Sequence, residues 1–134
     1  MLAGEVGIDF VAGPTEILLI FPDGDPRALA ADMLAQAEHD VDAAAILLTT
    51  SAALAERVAA EVERQIAGLP TREVARPAID NNSAIVVAAS LDEAFELSNR
   101  FAPEHLSIAD EAWLDRIANA GSVFIGAWSP EAAG

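Results

Sequence analysis

The chain contains two histidines, His39 and His105, and each directly follows a glutamate, Glu38 and Glu104. In "LAQAEHD" (Leu34 to Asp40), Gln36 and His39 are three residues apart. On a helix that spacing puts both on one face. An amide oxygen and an imidazole nitrogen can then share a metal ion. A histidine at a helix end can equally donate to the free carbonyls of the last turn, and spacing leaves both readings of His39 open. In "FAPEHL" (Phe101 to Leu106), Glu104 and His105 follow Pro103 at the mouth of a short strand. This is a loop position at a sheet edge, where α/β proteins place their chemistry. A carboxylate and an imidazole side by side supply two proton-transfer groups. Adjacent strand residues point to opposite faces, so the pair need not act on one atom, and a surface loop without a role is the competing reading. Thr15, in "AGPTE", carries a hydroxyl that can bind a ligand or satisfy a turn.

The elements that position these groups alternate along the chain. Compact apolar runs at 16–21 ("EILLIF"), 45–50 and 84–89 read as buried strands, with shorter strands at 105–109 and 122–127. Asp25 and Pro26 open a helix that runs to about His39, with Leu29, Met33, Leu34 and Ala37 on one face. Ser51 caps a long helix over 52–67, and Ser90 caps another that ends at Phe101 before Pro103. The spacing predicts a further helix over 111–120 closed by Gly121, and a short helix in "TREVARPAIDNN" interrupted at Pro77. Strands that are nearly all apolar, alternating with helices, predict an α/β fold. Its sheet is mostly parallel and covered by helices, a partial Rossmann-like layer. The divisions read as an extended segment at 1–15 with little to pair with, an α/β domain at 16–127, and a helix start at 128–134. Both ends suggest a piece of something longer.

Composition excludes several function classes. Net charge is −15, and all seven basic residues are arginine. Such a surface repels nucleic-acid phosphates and anionic membranes. Without cysteine there is no disulfide or thiolate metal site, which suits a reducing cytoplasm. The first residues show no signal peptide, and no apolar run approaches the roughly 20 residues of a membrane span. No Gly-x-Gly occurs, and Gly121 and Gly126 have phosphate-loop spacing without the required Lys-Ser/Thr. No local motif identifies a cofactor.

Four blocks together are more specific than any one: "VGIDFVAGPTEILLI" (Val6 to Ile20), "DMLAQAEHD" (Asp32 to Asp40), "NRFAPEHL" (Asn99 to Leu106) and "AGSVFIGAWSPEAAG" (Ala120 to Gly134). Their order and spacing resemble histidinol dehydrogenase over essentially the whole chain. The resemblance implies a zinc-dependent, NAD-using homodimer that oxidises L-histidinol through L-histidinal to L-histidine. It matches Gln36 and His39 to two zinc ligands that also lie against substrate. It matches Glu104 and His105 to the catalytic pair, with His105 as a substrate-contacting general base and Glu104 activating water for the second oxidation. Thr15 matches a substrate-contacting position that is often serine. The family's protein is considerably longer: further zinc ligands lie beyond Gly134 and the NAD contacts before Met1, so no cofactor-binding residue is expected in this chain. As isolated, the chain is expected to fold without turning over histidinol. The alternatives are a zinc- and NAD-dependent dehydrogenase of another small alcohol, and a non-catalytic binding or assembly module that keeps the fold.

Overall fold

The structure is a computed structural model that describes residues 2–3 and 16–126. Among these residues six strands form one sheet: β1 (Leu2–Ala3), β2 (Glu16–Ile20), β3 (Ala44–Thr49), β4 (Ala84–Val87), β5 (His105–Ile108) and β6 (Ser122–Ile125). Their order is β1-β4-β3-β2-β5-β6, and every pairing is parallel. The helices are α1 (Pro26–Ala37), α2 (Ala52–Ile66), α3 (Arg72–Asn82) and α4 (Leu91–Phe101), followed by a 3-10 turn, η1 (Glu111–Arg116). From β2 the chain winds outward through β3 to β4. It then crosses back over α4 to lay β5 on the other side of β2. The α/β reading and the parallel sheet hold. Of the segment 1–15, expected to have little to pair with, Leu2 and Ala3 pair with Ile85 and Val86.

Alternation along the strands divides the core into two layers. Ile17, Leu19, Ala45, Leu47 and Ile85 face Leu29, Met33, Val58, Val62 and Ile79 of α1, α2 and α3. Leu18, Ile20, Ile46, Leu48, Val86, Leu106 and Ile108 face Phe95 of α4, with Trp113 of η1 packed at the margin. Both sheet faces are covered, which explains why the central strands are continuous apolar runs. Among the described residues no helix is long and apolar enough to cross a membrane.

Caps fall where the sequence places them. Asp25 accepts from the Arg27 amide, Ser51 from that of Leu54, and Ser90 from that of Glu93. Three elements differ. Pro77 does not interrupt α3, which runs unbroken from Arg72 to Asn82. Proline forfeits one hydrogen bond, while Ala75, Ala78 and Ile79 bury the face on either side of it. The helix expected over 111–120 is only the 3-10 turn Glu111–Arg116. Asn99 on α4 takes the next amides out of any helical ladder, its Oδ1 accepting from Ala118 at 2.8 Å. Gly121 is therefore not a helix stop. Finally, α1 ends at Ala37, leaving His39 beyond its C-cap, Glu38.

Candidate functional site

His105 is the first residue of β5. Its strand lies between β2 and β6, so the site is not at a sheet edge but at the amino end of an interior strand. Ligands of open α/β sheets usually sit at the carboxyl ends, so this location departs from the rule. The same end receives the C-terminus of α1, because a helix crossing between parallel strands runs opposite to them. Gln36 and His39 thus sit at the end where β2 and β5 begin. His105 pairs with Ile17, whose side chain belongs to the layer under α1. Partners in register share a face, which puts His105 on the α1 side. Two groups far apart in sequence are brought to one end and one face because β5 is laid beside the βαβ unit that carries α1.

The chain arrives at Glu104 through a strained corner. Ala102 caps α4 at φ 52°, ψ 62°, the only non-glycine residue with positive φ among those described. Its N–H donates to the Ser98 carbonyl at 2.8 Å. Pro103 follows and is buried. Glu104 and His105 then turn toward each other, with Glu104 Oε1 and His105 Nε2 3.6 Å apart. Strict strand alternation would separate them, but Glu104 still lies in the bend before the strand. Both are partly open to solvent, as a pair that meets a small molecule must be.

At the other group, Gln36 is 9% exposed and its Nε2 has no partner among the described residues. His39 is exposed, and its Nδ1 lies 3.2 Å from the Gln36 carbonyl oxygen. A carbonyl only accepts, so the contact is a hydrogen bond when Nδ1 carries a proton, and in the neutral tautomer that does so Nε2 keeps its lone pair. The two open readings of His39 are therefore compatible: the contact that finishes α1 also sets the tautomer a metal ligand needs. The carboxamide oxygen of Gln36 and an imidazole lone pair of His39 are donors of the kind a metal takes, whereas the unpartnered Gln36 Nε2 only donates hydrogen bonds and cannot be a ligand. Two donors do not fill a four-ligand site, and among the described residues no cluster of three or more His, Cys, Asp or Glu could hold an ion. Thr15 lies outside the described residues.

Four residues hold this site in roles that the sequence did not assign them. Glu16, heading β2, accepts the Glu104 amide at 3.2 Å through Oε1. Asn99 ties the loop before β6 to α4, its Nδ2 donating to the Arg116 carbonyl. Arg116 in turn lies over the Phe95 ring at 4.5 Å and pairs with Asp92. Gly121 approaches so closely that an added Cβ would meet the Glu104 carbonyl oxygen at 2.7 Å. The available signals were weak: one charge at the head of an apolar strand, and a glycine ahead of a short apolar run.

The family model described as histidinol dehydrogenase matches residues 1–134. Histidinol dehydrogenase of Geobacter metallireducens is 51% identical over 138 residues, covering 100% of this chain and 32% of the relative. That of Thermus thermophilus is 51% identical over 139 residues, covering 100% of this chain and 33% of the relative. The crystal structure of histidinol dehydrogenase from Elizabethkingia anophelis superposes with a TM-score of 0.81 at 41% identity, over 96% of this chain and 30% of that one. The chain spans about a third of the length of the curated relatives it matches.

Proposed function

We propose that this chain, which belongs to the histidinol dehydrogenase family, supplies the catalytic pair and half of the metal site of a cytoplasmic enzyme that oxidises L-histidinol to L-histidine. The observation that carries the reading is the 3.6 Å approach of Glu104 to His105 at the sheet end where α1 delivers Gln36 and His39. Each of the two oxidations passes a hydride to NAD. A zinc ion, when bound, would orient and hold the substrate's nitrogen atoms.

The chain's own residues then divide the proton work. His105, as a neutral imidazole, takes the hydroxyl proton of histidinol as hydride leaves. Glu104 takes a proton from the water that adds to the aldehyde, and His105 again serves the second hydride step. Their proximity lets both groups address one carbon. Gln36 and His39 would hold zinc through Oε1 and Nε2, and with Thr15 and His105 they contact substrate. Two ligands leave a zinc ion's coordination incomplete, and the reading takes the full-length enzyme as a homodimer and the isolated chain as inactive.

The test uses the full-length enzyme that carries this segment, with NADH formation followed separately from histidinol and from histidinal. Glu104→Gln is expected to depress oxidation of histidinal far more than the first conversion, and His105→Asn to depress both. His39→Ala is expected to lower the bound zinc measured after dialysis. Unchanged histidinal oxidation in Glu104→Gln would refute the reading.

A further inference from the structure

Glu16 is 8% exposed and heads a strand whose other residues, Ile17, Leu18, Leu19 and Ile20, are all buried and apolar. A buried carboxylate loses hydration that one hydrogen bond does not replace. Among the described residues Glu16 has one such bond, from the Glu104 amide, and its Oε2 is buried with no partner. Burial for stability alone would favour an apolar residue here. What the carboxylate does achieve is specific to Glu104. The Ala102 amide is taken by α4, Pro103 has no N–H, and the strand ladder begins at His105. The Glu104 amide is therefore the one group in the corner that a strand neighbour must fix by side chain. On the opposite flank the Ser122 amide donates to the Glu104 carbonyl at 2.8 Å, and that of Gly121 to the Pro103 carbonyl at 3.0 Å.

We propose that Glu16 is a positioning residue for Glu104: its carboxylate clamps the Glu104 backbone from β2 while β6 clamps it from the other side, fixing the side chain that activates water. This inference rests on the proposed function. What matters is the reach of an acceptor oxygen rather than the charge behind it.

The experiment compares Glu16→Ala, Glu16→Gln and Glu16→Asp in the full-length enzyme, beside Glu104→Gln. Glu16→Ala is expected to lower kcat for histidinal oxidation by roughly 10-fold to 100-fold, the range that ångström-scale misplacement produces, with KM changed less than about two-fold. Conversion of histidinol to histidinal should fall less, because His105 remains in the ladder between Ile17 and Ser122. Glu16→Gln, with an acceptor oxygen at the same reach, should recover most of the loss. Glu16→Asp, one methylene short, should not. The proposal is overturned if Glu16→Ala turns over histidinal at the parent rate. It is equally overturned if both half-reactions fall together in step with thermal stability, or if Asp outperforms Gln. Should Glu16→Ala fail to fold, the order of Gln and Asp decides. If Glu104→Gln itself spares histidinal oxidation, the proposed function fails and this inference with it; if Glu104→Gln is selective and the Glu16 series is not, only the inference fails.

Discussion

Gly121→Ala tests whether the corner that carries Glu104 is built by backbone approach. The new Cβ would stand 2.7 Å from the Glu104 carbonyl oxygen, with Glu104 C and Cα at 3.5 Å. These are backbone atoms, so no flexible side chain can yield. Reaching ordinary contact requires the two segments to part by about 0.7 Å. That displacement falls on two hydrogen bonds, Gly121 N–H to the Pro103 carbonyl at 3.0 Å and Ser122 N–H to the Glu104 carbonyl at 2.8 Å. At about 0.5–1.5 kcal/mol each, their loss or stretching destabilises the chain by about 1–3 kcal/mol. Because Glu104 moves with its carbonyl, turnover of histidinal by the full-length enzyme is expected to fall by up to ~100-fold. Urea unfolding and steady-state kinetics on the same variant separate the two effects. Parent stability together with parent turnover would refute the reasoning, since alanine would then fit where the geometry leaves no room.

The strain at Ala102 has the opposite sign. An L-residue in the left-handed region costs roughly 1 kcal/mol that glycine avoids, so Ala102→Gly is expected to raise unfolding stability by about 0.5–1 kcal/mol; a destabilised variant would contradict the strain. Between α2 and α3, Arg76 donates to both Glu63 oxygens at 2.9 Å. Hydrogen bonding to Arg76 holds the Glu63 carboxyl below its ordinary value of 4.5 in the folded state. A lowered folded pKa contributes stability that is complete above the ordinary value and fades as pH falls through the lowered one. The pair is largely exposed, so Arg76→Ala should cost less than about 1 kcal/mol at pH 7. The deficit should shrink below pH 4.5; urea midpoints that differ equally at neutral and acid pH would count against it.

Much of the architecture was legible because burial on both sheet faces writes itself into sequence as apolar runs. "EILLIF", "AILLTT" and "AIVVAA" became β2, β3 and β4, three of the interior strands, and Asp25, Ser51 and Ser90 cap as their positions suggest. Local rules failed where a distant partner overrode them. The helix expected to reach Gly121 gave way to Asn99, whose side chain captures the Ala118 amide from a neighbouring element. Pro77 stayed within α3 because one absent hydrogen bond weighs less than a buried face.

The candidate site residues divide the same way. Residue type and spacing by themselves marked Gln36 and His39 as candidate ligands, and Glu104 and His105 as a proton-transfer pair; the four sequence blocks determined the family to which the chain belongs. Sequence could not say that both groups share one end of the sheet, because that follows from β5 crossing back beside β2. Nor could it reveal Glu16 or Gly121 as supports of Glu104, since their contacts join segments that only the folded sheet brings together. Chemistry resides in side-chain identity, which one position can display; placement is a relation between positions, and only the packed tertiary structure defines it.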